Sequence, residues 1–224
     1  MFGRGWLRLR VDASLNGVPV VSLRNLFEEA RSCQRCYPGK EIYVPLPDPK
    51  NSDGDADIVF VNERPGRIGT GQSGYVSFEN NDPSANFFKE CFLAAGLERK
   101  KVLITNACLC HPLFPGYTDT APKVRELKNC HFWLKRQLDQ TNPLLIVTIG
   151  RVAYESVMRF KKQWPDPSGR KFLGLVGQVI RSTSPWVYPL SHTSRLGRAS
   201  RSAELQKEDW LAIPRILNEA KNAT

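Results

Sequence analysis

Apolar residues along the chain fall into two kinds of run. Short unbroken ones, DIVFVN (57–62), KVLITN (101–106) and PLLIVTIG (143–150), read as strands buried on both faces. Between them, apolar residues recur three and four apart, as on one face of a helix. A helix is predicted over 22–32, where Leu23, Leu26, Phe27 and Ala30 follow a serine N-cap. DPSANFFKECFLAAGL predicts a second, opened by Asp82 or Ser84, closed near Gly96, with Phe88, Phe92 and Leu93 on one face. A third is predicted over 122–140 with the seam Val124, Leu127, His131, Leu134 and Leu138, a fourth over 152–160, and one closing amphipathic helix over 203–221. GQVIRS (177–182) and WVYPLSH (186–192) read as the last strands. The proline-rich stretch 37–56 reads as an extended loop, and residues 1–21 as an N-terminal arm ahead of a single domain over 22–224.

Strands alternating with helices predict an α/β fold in three layers, α/β/α, around a short, mostly parallel sheet. Ligands bind such sheets outside the carboxyl ends of the strands. Residues at or just after those ends are Glu63, Asn106, Gly150 and His192. Topology alone thus brings a carboxylate, an amide, a glycine and an imidazole to one edge.

Thirty-two Lys and Arg against 22 Asp and Glu give a net charge of +10, which favours a polyanionic partner. No apolar run has the length of a membrane span, and MFGRGWLRLRV lacks the apolar core of a signal peptide, so a cytoplasmic protein without a membrane partner is expected. There are six cysteines, and in that compartment metal ligation or burial suits them better than disulfides. Cys33 and Cys36 form a C-x-x-C pair at the end of the first helix. Closing a four-coordinate site takes two more thiolates. Cys130, beside the seam of its helix, is one; Cys108 and Cys110 compete for the other, while Cys91 falls among phenylalanines. Zinc and an iron–sulfur cluster both suit four thiolates.

The order C-x-x-C, strand–E-x-P-G, strand–TN-x-x-x-C-x-P, a helical cysteine and strand–H-x-S resembles the iron–sulfur (family 4) uracil-DNA glycosylases, from about residue 22 to 196. The resemblance implies a [4Fe–4S] cluster on Cys33, Cys36, Cys110 and Cys130, with Cys108 left to packing. It implies a DNA-repair glycosylase, expected as a monomer, that flips uracil from DNA and hydrolyses its N-glycosidic bond with water as nucleophile. His192, as the neutral imidazole, would stabilise the departing base at O2, and Glu63 would serve the attacking water or the sugar cation. Asn106 would read the O4/N3–H edge, for which its amide carries a donor and an acceptor. Tyr75 falls near the family's stacking aromatic, with Phe78 as competitor. Beyond His192, Leu196 would fill the space left by the flipped base, and Ser194, Arg195 and Arg198, followed by Arg201, would meet the backbone. The chain departs from the family's G-E-x-P-G at Asn62 and Arg64, which opens other bases (hypoxanthine, xanthine, a G·T mismatch) or loss of catalysis in an iron–sulfur DNA-binding protein. Arg64 itself is a candidate contact to a base or a phosphate.

Overall fold

The computed structural model describes residues 22–117, 120–162 and 169–223; the arm expected over 1–21 lies outside them. Along the chain run α1 (Leu23–Ala30), β1 (Ile42–Tyr43), β2 (Leu46–Pro47), β3 (Ile58–Asn62), α2 (Gly69–Ser73), β4 (Tyr75–Val76), α3 (Pro83–Ala94) and β5 (Val102–Asn106). Then come β6 (His111–Pro112), α4 (Val124–Thr141), β7 (Leu145–Ile149), α5 (Arg151–Phe160), β8 (Trp186–Leu190), α6 (Arg195–Ser200), α7 (Ala203–Leu211) and α8 (Ile213–Ala223).

The central sheet has four strands in the order β5-β3-β7-β8, each pair parallel. From β3 the chain crosses to β5 on one side and then back to β7 on the other. The strand order therefore reverses beside β3, and a crevice opens there at the carboxyl ends. Phe60 of β3 packs on Phe88 and Phe92 of α3 and stacks on Trp210 of α7, with ring centroids 5.3 Å apart. Thr105 of β5 is one residue out of step with Phe60's partner Ile104, so it faces the opposite side. There its hydroxyl meets Gln137 Oε1 of α4 at 2.5 Å. Helices thus cover both faces, with α3 and α7 on one and α4 on the other, where it contacts α1 and α5.

Several expectations are corrected. The closing helix is two, because Pro214 has no N–H to donate back to Trp210 and the chain breaks at Ala212. GQVIRS is not a strand: it starts in a turn at Gly177, whose φ is +77°, and meets β8 through the Gly177 N–H on Pro189 O and the reciprocal Ile180–Val187 pair, too sparse a set for a ladder. The loop over 37–56 contains β1 and β2, which pair with β6 and β4. In α3 the buried stripe is Phe87, Phe88, Cys91 and Phe92, so Leu93 points to solvent, as does Val124 at the start of α4.

Candidate active site

Two cavities meet at the carboxyl edge of the sheet. The smaller, about 320 Å³, is lined by Asn62, Phe78, Asn80, Asp82 and Asn106 among others. The larger, about 1060 Å³, opens beside Gly150, Arg151, Arg170 and Leu196. Glu63 and His192 line both. The four residues expected at the strand ends are therefore gathered at one place.

His192 is the most tightly held of them. Its Nδ1 accepts a hydrogen bond from the Ser194 N–H at 3.0 Å, so the neutral ring carries its proton on Nε2. Burial pushes its pKa below the ordinary histidine value, with nearby Asp82 pulling the other way, and the ring stays neutral near pH 7. Glycines on two elements make room for it. A Cβ at Gly150, where φ is +88°, would stand 3.1 Å from His192 Cβ. One at Gly197 would stand 1.8 Å from the His192 carbonyl oxygen. Neither position admits a side chain without moving the histidine.

Asn106 ends β5 with 3% of its surface exposed, and its Nδ2 has no partner among the described residues. An unmet buried donor costs about 1–3 kcal/mol, so this one awaits an acceptor from whatever fills the smaller cavity. Phe78, buried in that wall, packs on Phe88 beneath the Arg99 guanidinium. Tyr75 pairs with Leu46 in the small sheet and is not among the lining residues. Of the two aromatic candidates, Phe78 is the one at the cavity.

Asn80 and Asp82 also line the smaller cavity, and no motif in the sequence marks them as site residues. Asp82 showed there only as a helix cap, and it does cap α3 through Ser84 N and Ala85 N, both at 2.9 Å. Asn80, in a run of polar residues, carried no signal at all.

Arg64, expected at a base or phosphate, lines both cavities, but its guanidinium is engaged within the protein. Its guanidinium is buried against Glu126 of α4 at 2.5 Å, the two side chains being 5% and 9% exposed. It also lies 5.6 Å from the Tyr117 ring. Glu126 additionally accepts from Tyr37 Oη and from Lys123 N, the latter at 2.7 Å. Burial works against the Glu126 carboxylate, yet Tyr37, Lys123 N–H and Arg64 together hold its pKa below the ordinary value.

Beyond His192, Ser194 caps α6 by accepting from Gly197 N at 3.3 Å. Arg195 and Leu196 are exposed, while Arg198 donates back to Thr193 O and lies over the Phe87 ring. Arg201 is committed to Asp209 at 2.6 Å. His111 is buried edge-on to Tyr117, and His131 is half-buried in α4, as its seam position predicts.

Five thiols share one neighbourhood. Cys110 is within electrostatic reach of Cys130, Cys36 and Cys33, and Cys108 of Cys130 and Cys110. Cys91 is buried in α3 with Phe92, away from them. Donors point at the sulfurs: Asn129 Nδ2 lies 3.3 Å from Cys36 Sγ, and Trp133 Nε1 3.4 Å from Cys33 Sγ. Soft donors with N–H groups directed at them fit a thiolate-bound metal or cluster. Among the described residues, no three cysteine, histidine or acidic groups yet stand in a ligating array.

A model of the Uracil DNA glycosylase superfamily matches residues 49–213. The chain is 32% identical to the Type-4 uracil-DNA glycosylase of Archaeoglobus fulgidus over 138 residues, which is 61% of this chain and 63% of that protein. It is 33% identical to the Type-4 enzyme of Sulfurisphaera tokodaii over 58% of this chain and 55% of the relative. It is 26% identical to the Type-5 uracil-DNA glycosylase of Pyrobaculum aerophilum over 69% and 68%. The matched part thus spans under two thirds of the type-4 relatives' length.

Two outcomes are expected from this geometry. Arg64→Ala should lower unfolding stability by about 3–5 kcal/mol, because it leaves Glu126 buried without its cation; denaturant titration measures this. His192 binds its proton less readily folded than unfolded, so its contribution is whole above about pH 6.5 and shrinks as pH falls through the folded pKa. Between pH 7.5 and 5.5, wild type should therefore lose more stability than His192→Gln.

Proposed function

Because this chain belongs to the Uracil DNA glycosylase superfamily, we propose that it excises uracil from DNA by hydrolysis of the N-glycosidic bond, leaving an abasic site. The observation that carries this reading is the pairing of an unmet buried donor, Asn106 Nδ2, with a neutral His192 at the same cavity. Uracil presents a carbonyl at O4 and another at O2, one for each. Cytosine offers an amino group where Asn106 needs an acceptor, and a mismatched polar pair in a closed site rejects the wrong base by large factors.

The base leaves the stack and enters the smaller cavity, beside the Phe78 ring. As the bond from C1′ to N1 lengthens, its electron pair moves onto the base and positive charge grows on the sugar. His192 donates from Nε2 to O2, where the negative charge collects, and stays neutral itself. Preorganised donors of this type are usually the largest catalytic contribution. Glu63, at the junction of the two cavities, orients a water towards C1′ and takes its proton as the C–O bond forms. Gly150 lets the imidazole, and Gly197 the His192 backbone, pack closely at the sheet edge, so little reorganisation accompanies the step.

Cys33, Cys36, Cys110 and Cys130 would hold a [4Fe–4S] cluster, zinc being the alternative for the same thiolates. When bound, the group supplies a staple between the segment after α1 and helix α4. Metal analysis of the purified protein distinguishes the two: iron with labile sulfide is expected, and zinc alone would replace the cluster with a simple tetrahedral site.

The test of the activity is excision from oligonucleotides carrying uracil, hypoxanthine, xanthine or a G·T mismatch, with alkali to reveal abasic sites. Uracil should be the substrate, and His192→Ala should slow its release by about 10²–10³-fold, the loss typical of one such donor. Cleavage only at another base would keep the mechanism and move the substrate. No cleavage by folded protein that binds DNA would leave a binding protein.

A further inference from the structure

Large aliphatic side chains seldom need explanation when they lie singly on a surface. Three of them here surround the joined cavities. Ile68, 66% exposed, lines the smaller; Leu173, 61% exposed, and Leu196, 77% exposed, line the larger. Each has a cation just before it in the chain: Arg67 ahead of Ile68, Arg170 and Lys171 ahead of Leu173, and Arg195 ahead of Leu196. Other exposed aliphatics, such as Leu93, Leu113 and Leu211, line neither cavity.

The three tips stand on firm supports. Ile68 sits in a loop closed by Thr70 Oγ1 and Gly71 N, both donating to Gly66 O, at 2.7 and 3.1 Å. Leu173 lies in a short 3-10 turn, Phe172–Gly174, anchored by Phe172, whose ring centroid is 5.7 Å from that of Tyr154. Leu196 is in α6, fixed by the Ser194 cap and by Arg198 on Thr193 O. A water-exposed apolar tip held rigidly beside a cation matches what a stacked duplex requires. The cation meets a phosphate, and the aliphatic group enters the gap between base steps.

We propose that Ile68 and Leu173 are duplex-opening wedges, so that double-stranded DNA is gripped at three points around the site rather than through the Leu196 helix alone. The proposal rests on the glycosylase reading for its substrate and deepens it. Unstacking one base step costs a few kcal/mol, and wedges contribute only where there is a stack to open. A single-stranded substrate makes no such demand.

The experiment measures kcat/KM for the same uracil oligonucleotide, single-stranded and annealed to its complement. Wild type, Ile68→Ala and Leu173→Ala are compared, with thermal melts to verify folding. Each variant should lower the duplex-to-single-strand ratio by about tenfold, a modest part of the unstacking cost. Arg170→Gln with Lys171→Gln should reduce the slope of log affinity against log salt for uncleavable duplex by about two. A 2-aminopurine beside the uracil in that duplex should brighten on binding wild type and less so with Leu173→Ala. Equal losses on both substrates, or an unchanged ratio and unchanged fluorescence, overturn the proposal. If wild type excises nothing, the glycosylase reading falls, and the fluorescence of bound duplex still decides whether the wedges act.

Discussion

Everything at the site depends on how closely the backbone is packed around His192. The sheet is parallel and covered on both faces, its few interior polar groups such as Thr105 are sealed against helices, and a ligand can reach it only where strands end. At β7 and β8 those ends converge until Gly150 N donates to Leu190 O at 2.8 Å. With Gly197 pressed on the histidine's own carbonyl, the ring has one place to be. Its tautomer then follows from one backbone N–H, and its neutral state from burial. A more generous spacing would admit side chains at 150 and 197 and surrender all three properties together.

A second constraint joins this edge to the thiols. Arg64 follows Glu63 directly, and its guanidinium is buried on Glu126, one helical turn before Cys130. Tyr37, next to Cys36, bonds the same carboxylate. The backbone reinforces the tie, since Ala107 N and Cys108 N donate to Asn62 O and Glu63 O at 2.7 and 3.0 Å. Buried ion pairs are weak contributors to net stability but strongly destabilising when halved. This one acts as a fastener: it ties the loop carrying the carboxylate to the region carrying the cysteines.

The sequence carried the frame clearly. Buried strands need uninterrupted apolar runs, and β3, β5 and β7 lie where those runs predict, with Glu63, Asn106 and His192 beside them. Local pattern failed where tertiary partners decide. Nothing in NERPG says that Arg64 turns inward, because its partner Glu126 is 62 residues away. Phe78 and Tyr75 are three residues apart, and only the pairing of β4 with β2 separates their surroundings. Asn80 and Asp82 reach the cavity through the fold of a polar loop that has no periodicity to read. The closing helix divides for a simpler reason: its amphipathic pattern continues through Pro214, and the missing N–H outranks the pattern.

The unmet donor of Asn106 has a consequence for how such a protein evolves. An amide donor with no partner among the described residues adds less to the fold than a well-packed apolar group would. A residue that filled the space without a polar group would give a sturdier fold with nothing to offer a carbonyl. Selection for stability alone would therefore erase the site, and its persistence sets a ceiling on how robust the unliganded protein can become.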